Sequence, residues 1–215
     1  MSTIAIVGGH GKVARLLVPQ LLNRGDVPVA LVRDPAQAGD LPGATVRVLD
    51  IEHSDADGFA AVFEGCDAVV FAAGGGPDGS IDRKRTVDLE GSVKSVAAAG
   101  RAGIRRFVQV SAMGVDRDPD PSLGDVWAAY VHAKRDADAA LRASDLDWTI
   151  VCPGRLTDEP GTGRVLVAGE APYGEIPRED VAAVLAAALA DDGTIGRQFD
   201  VVTGDTPIPA ALSSL

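Results

Sequence analysis

The sequence predicts an α/β fold, a doubly wound parallel sheet with helices on both faces. Three observations predict it. Short apolar runs alternate with longer helical patterns from the first residues onward. The runs are continuously apolar, as in Thr3–Val7 (TIAIV) and Ala68–Phe71 (AVVF), which is the texture of strands buried on both faces. Strand–helix alternation of this kind joins parallel strands by right-handed crossovers.

In order, the first strand at Thr3–Val7 feeds a helix over residues 11–24, followed by strands at 28–32 (PVALV) and 45–49 (TVRVL). A short helix covers 57–64, and Ala68–Phe71 is a strand. One long helix covers 81–100, ending at a glycine, the residue type that suits a helix stop. Arg106–Val110 (RFVQV) is a strand, 125–143 a helix and 148–151 (WTIV) a strand. The texture changes after Pro153. Residues 154–164 (GRLTDEPGTGR) are rich in Gly, Pro and Thr and read as an active-site loop, with a short strand at 165–168. Pro177, taken as the first helical residue, with Glu179 and Asp180 in the first turn, starts a helix that runs to about Ala190. A strand at 198–202 and a terminal helix at 209–215 complete the chain. No repeat or linker divides it. The expectation is a single domain over 1–215, in which 154–215 forms a small C-terminal appendage and most of the substrate side.

The chain has 215 residues, 46% hydrophobic and 24% charged, which suits one well-filled core. Its longest apolar stretch, 181–190 (VAAVLAAALA), is short of the roughly 20 residues that cross a bilayer. No basic region precedes the first apolar run, so no secretory leader is expected. Cys66 and Cys152 have neither metal nor redox spacing, and a reducing cytoplasm is the expected location. The net charge of -11 argues against nucleic acid and anionic membranes as partners. The one small basic cluster, residues 101–106 (RAGIRR), reads as a helix end followed by a strand. His10, His53 and His132 share no ligand spacing, so no metal is assigned. The expected partner is a small-molecule substrate, bound by a monomer or homodimer.

The stretch VGGHGKVA carries the first function. It reads as G-x-x-G-x-x-A (Gly8, Gly11, Ala14) or as G-x-G-x-x-A (Gly9, Gly11, Ala14). It follows a strand and opens a helix. Glycine lets a pyrophosphate approach the backbone, and the helix N-terminus offers free N–H groups and partial positive charge to that anion. His10, Lys12 and Val13 share this loop and count as cofactor-side residues. The second strand ends Val32-Arg33-Asp34-Pro35. Arg33 stands where a 2′-phosphate would sit, which favours NADP over NAD, although Asp34 also has access to the ribose. Asp50 and Ile51 follow the third strand and would bracket the adenine. Ala72, Ala73 and Gly74 follow the fourth strand, where small residues let a dinucleotide cross the sheet edge.

The second function lies in Tyr130-Val131-His132-Ala133-Lys134. An i, i+4 spacing puts phenol and ammonium on one helix face, where the ammonium is expected to lower the tyrosine pKa. Ser111 closes the fifth strand, where a hydroxyl could bond a substrate carbonyl oxygen.

With VGGHGKVA, LVRDP, FVQVSAMG, YVHAK, LDWTIVCPG, GTGRV and IPREDVA in place, the sequence resembles the short-chain dehydrogenase/reductase superfamily over nearly its whole length. The match is to the atypical branch of small NAD(P)-binding proteins, epimerase-like or NmrA-like. The resemblance implies a Rossmann-like fold, NADP binding through Gly8, Gly11 and Arg33, and a catalytic set of Ser111, Tyr130 and Lys134. It implies that Lys134 also bonds the nicotinamide ribose, that Tyr130 passes a proton to the substrate oxygen as hydride moves, and that Pro153 lies against the nicotinamide. Three departures stand out: Ala14 for the last glycine, Asp88 at the usual active-site Asn, and a long acidic stretch between Ser111 and Tyr130. The implied function is an NADP-dependent oxidoreductase or epimerase-like enzyme on a small carbonyl or hydroxyl compound. The alternatives are a non-catalytic NADP(H)-sensing regulator and an NADPH-dependent flavin or quinone reductase.

Overall fold

A computed structural model describes residues 1–76 and 80–215. Its strands are β1 (Thr3–Val7), β2 (Val27–Val32), β3 (Thr45–Val48), β4 (Ala68–Phe71), β5 (Arg106–Val110), β6 (Asp147–Pro153), β7 (Arg155–Thr157), β8 (Arg164–Ala168), β9 (Glu175–Pro177), β10 (Arg197–Thr203) and β11 (Thr206–Pro207). Its α-helices are α1 (Lys12–Asn23), α2 (Ala56–Phe63), α3 (Ile81–Arg83), α4 (Gly91–Arg101), α5 (Asp125–Arg142), α6 (Arg178–Ala190) and α7 (Ile208–Leu212).

Nine strands form one sheet in the order β3-β2-β1-β4-β5-β6-β10-β8-β11. The seven from β3 to β10 are parallel neighbour to neighbour, and β8 and β11 close the far edge antiparallel. This is the doubly wound fold that the apolar strand runs imply. The strand order reverses between β1 and β4, and the crevice above their carboxyl ends is where such sheets bind ligands. Each face buries its own core. One packs Leu17 and Leu21 of α1 with Val181 and Leu185 of α6, and the other packs Phe59 and Phe63 of α2 with Ala98 of α4 and Leu141 of α5. Among the described residues no helix is long and apolar enough to cross a membrane.

Three expectations change. The single helix over 81–100 is broken: α3 gives way to a π-helical segment, Lys84–Glu90, before α4 begins. Periodicity could not show this, because a π turn changes the hydrogen-bond register without interrupting the apolar pattern. The widened turns bury Lys84, Val87 and Asp88, in the manner of π segments near functional sites. Pro177 is not helical; it ends β9 and caps α6 from outside, with extended backbone (φ -58°, ψ 138°). The stretch 154–164 is more ordered than a loop. Arg155–Thr157 pairs with β9, and the acids at the start of α6 hold residues 161–163. Glu179 accepts from Gly161 N–H at 2.8 Å, and the buried Asp180 accepts from the N–H groups of Thr162 and Gly163 at 2.9 and 2.8 Å. The basic cluster is also absorbed by the fold. Arg101 pairs with Asp57 and Arg105 with Asp147, while Arg106 is drawn inside onto Thr149, Thr194 and the Ala188 carbonyl.

Candidate functional site

The glycine loop lies between β1 and α1. Gly8 adopts φ +80°, and a β-carbon there would stand 2.7 Å from the Ala73 backbone. Here glycine serves both the turn and the close approach of the segment after β4. Gly9 N–H donates to Leu31 O at 2.9 Å and keys the loop to β2. Gly11 is different: it is exposed, and a β-carbon on it would meet only the carbonyls of Gly8 at 3.1 Å and Ala72 at 3.7 Å. It caps α1 with no side chain on the first N–H groups and no acid in the first turn, so those donors remain for an anion.

This loop opens onto a cavity of about 260 Å³ lined by Gly8, His10 and Gly11, by Arg33 after β2, by Asp50 and Ile51 after β3, and by Ala72, Ala73 and Gly74 after β4. Nine of the residues expected on the cofactor side thus share one crevice. Gln37, Glu52, Arg83 and Val87 also line it and were not foreseen. The Arg33 guanidinium is exposed and, among the described residues, engages no carboxylate or other acceptor. Asp34 turns away to cap the following 3₁₀ turn through Ala36 N–H at 2.9 Å.

Four cofactor-side residues, Lys12, Val13, Lys134 and Pro153, do not line this cavity. The Lys12 ammonium pairs with Asp158 at 2.7 Å, which Arg178 also holds at 2.6 Å. Val13 is packed into the core, and Pro153 is buried at the end of β6. Two residues that do line it are engaged locally. The His10 ring bonds Asp40 at 2.7 Å. Asp50 keeps its carboxylate within its own turn, accepting from Glu52 N–H at 3.0 Å and meeting His53 Nδ1 at 3.0 Å. Burial opposes its charge, but these bonds prevail and hold it below the usual carboxylate range.

The expected catalytic residues gather where α5 faces β5 and the π segment. Lys134 and Asp88 are both buried, with Nζ 3.4 Å from Oδ1. Lys134 also donates to Val110 O at 3.0 Å, and Asp88 Oδ2 accepts from Gly75 N–H at 2.7 Å. Burial disfavours the Lys134 ammonium, but Asp88, Tyr130 and Asp138 together outweigh it and raise the lysine above its ordinary value. Tyr130 is half-buried. Its ring tilts against Trp127 at 5.5 Å between centroids, and the Lys84 ammonium lies 5.8 Å from its centre. Its hydroxyl makes no hydrogen bond among the described residues. The expected lowering of its pKa is reversed. Burial pushes the phenol above its ordinary value, and the pull of Lys134 is countered by Asp88 and Asp138. An i, i+4 spacing shows the ammonium but not the carboxylate that neutralises it.

Ser111 is not bonded to Tyr130. Its Oγ donates to Asp138 Oδ2 at 2.5 Å, and Gln109 Nε2 donates to Asp138 Oδ1 at 2.6 Å. Asp138 was missed in the sequence, yet it stands four residues beyond Lys134 on the same helix face, a spacing that could have found it. Cys152 of β6 touches Ser111 and lines a second cavity of about 140 Å³ with Met113, Asp116, Glu170, Tyr173 and Asp200. Burial pushes the Cys152 thiol well above its ordinary value, and nearby acids add to this.

Residues 8–192 match the NAD(P)H-binding family. A Bacillus subtilis protein named as the uncharacterized sugar epimerase YhfK is 38% identical, over 99% of both chains. A Bacillus halodurans structure, named provisionally as an NAD-dependent epimerase/dehydratase, superposes over 100% of both chains with a TM-score of 0.92 and 40% identity. The oxidoreductase ylbE of Lactococcus lactis superposes over 99% of this chain and 96% of its own, with a TM-score of 0.88 and 29% identity.

Proposed function

The chain belongs to the NAD(P)H-binding family, in the atypical, epimerase-like branch of the short-chain dehydrogenases/reductases, and from that premise we propose that it is an NADP-dependent oxidoreductase reducing a small carbonyl compound. The observation that carries this reading is the Tyr130 hydroxyl. It has no hydrogen-bond partner among the described residues, is kept protonated, and stands on the helix face of a buried, charged Lys134.

The crevice fits the cofactor on the chain's own features. Gly11 leaves room at uncapped N–H groups, and the unengaged Arg33 stands at the edge where a 2′-phosphate would be read. When bound, the nicotinamide supplies the hydride. Tyr130 then gives its phenolic proton to the substrate oxygen as that oxygen gains electrons. Lys134 stabilises the phenolate left behind, and Asp88 keeps that lysine charged inside the fold. A phenol that carries its proton at neutral pH can supply the proton that reduction of a carbonyl requires.

The test is NADPH consumption with a panel of small aldehydes and ketones. Tyr130→Phe should lower the rate by about 10²–10⁴-fold, the usual value of a general acid. An unchanged rate removes Tyr130 from the chemistry.

A further inference from the structure

A chain of buried polar groups links α4, β5 and α5, with the Cys152 thiol of β6 also hydrogen-bonded to Ser111. Ser92 Oγ bonds Gln109 Oε1 at 2.6 Å, Gln109 Nε2 donates to Asp138 Oδ1 at 2.6 Å, and Asp138 Oδ2 takes the Ser111 proton at 2.5 Å. All four residues are buried, and Asp138 is 0% exposed. No cation among the described residues is in contact with the Asp138 carboxyl. Ser111 has a single proton, so whichever partner receives it decides what the hydroxyl can offer elsewhere.

We propose that Asp138 is a positioning residue for Ser111, and that its protonation decides whether Ser111 meets a substrate oxygen as acceptor or as donor. This rests on the reading of Ser111 as the substrate-side hydroxyl of the proposed reductase. With Asp138 ionised, Ser111 gives its proton to Oδ2 and keeps only lone pairs for the substrate. It can then receive a bond from an alcohol but gives none to a carbonyl. With Asp138 carrying one proton from solvent, the carboxyl O–H turns onto Ser111 Oγ. The Ser111 proton is then released toward a carbonyl oxygen, where it stabilises the developing negative charge.

The groups facing Asp138 set the balance. From α5 these are Tyr130, Lys134 and Arg142, from β5 Gln109 and Ser111, and from β6 Cys152. Lys134 is neutralised by Asp88, and Arg142 faces Asp116 at 3.7 Å. Burial therefore prevails and holds the Asp138 carboxyl above the usual range. Tyr130 stays protonated on the acid side, so it does not produce an acid-side change in rate, and Asp200, whose carboxyl burial also raises, is separated from Asp138 by the Asp138→Asn variant.

Two measurements test this. The first needs no turnover: the Asp138 carboxyl is titrated by NMR in protein carrying ¹³C-labelled aspartate, its resonance identified by loss in Asp138→Asn. Ser111→Ala removes a donor to the carboxylate and should raise the midpoint by about one pH unit. A lowered or unmoved midpoint overturns the proposal. The second follows NADPH-dependent reduction of 9,10-phenanthrenequinone against pH. The wild-type kcat/KM should fall about tenfold per unit above the Asp138 midpoint. Asp138→Asn, whose amide donates permanently to Ser111, should be flat at the low-pH level, and Asp138→Glu should keep the limb at a displaced midpoint. A limb that persists in Asp138→Asn overturns the proposal. If the wild type consumes no NADPH with this quinone, the reductase reading fails for it, and the titration still decides the role of Asp138.

Discussion

Gly8 and Gly11 are three residues apart and do different work. Gly8 is held at φ +80° against the Ala73 backbone, so Gly8→Ala combines left-handed strain with a 2.7 Å clash. It should cost at least about 2 kcal/mol in urea unfolding. Gly11 has an ordinary φ of -62°, and a β-carbon there would press only on the Gly8 carbonyl, at 3.1 Å, an approach that a shift of a few tenths of an ångström relieves. Gly11→Ala should leave the unfolding midpoint nearly unchanged while weakening NADPH binding at least tenfold by calorimetry, because its methyl occupies the space a phosphate needs. The reverse pattern would show that the crevice is not read through this loop. A sequence motif cannot separate the two glycines, since the distinction lies in what the strand after next brings alongside. The same holds for Tyr130. The nearby ammonium is legible at i+4, but the neutralising Asp88 lies 46 residues away from that lysine in another element.

At the scale of elements, the strands were legible because burial on both faces leaves a continuous apolar signature. The helix over 81–100 was legible as helix but not as a broken one. Its π segment depends on how α5 packs against it and on the bonds Asp88 makes to Gly75 and Lys134. The segment after Pro153 was legible as irregular backbone, which it is over 158–163, but the short strand Arg155–Thr157 was not: Gly, Pro and Thr mark irregular backbone and do not say what holds it. Asp180 holds it, accepting from Thr162 N–H, Thr162 Oγ1 and Gly163 N–H from a buried position. Asp180→Ala removes these bonds to a buried carboxylate and should cost about 2–3 kcal/mol by urea unfolding, the range of hydrogen bonds to a charged group. A loss below about 0.5 kcal/mol, within the range of an ordinary surface substitution, would mean that the segment is held by other contacts.

For the molecule as a whole, the crevice at the reversal of strand order collects residues from the ends of β1, β2, β3 and β4, which no single helix or strand could assemble. A ligand that binds only the folded chain stabilises it by linkage. At a hundredfold excess over Kd, NADPH should add about 2.7 kcal/mol. For a chain of this size that is a rise in Tm of roughly 5–11 °C. NADH at equal concentration should add less, and Arg33→Ala should erase the difference between them. Equal shifts in the wild type would show that Arg33 does not read the 2′-phosphate, and a larger shift with NADH would assign the crevice to NAD.

The sequence by itself determined the doubly wound sheet, the glycine loop between β1 and α1 and the shared helix face of Tyr130 and Lys134. Each is written in local periodicity or in spacing along one element, where backbone geometry alone fixes which residues share a face. Only the tertiary structure decided which charges meet. Lys134 finds Asp88, Ser111 finds Asp138, and Lys12 finds Asp158 across stretches of 27 to 146 residues. Electrostatics inside a protein depends on distance and burial in space, and neither quantity is a function of position along the chain.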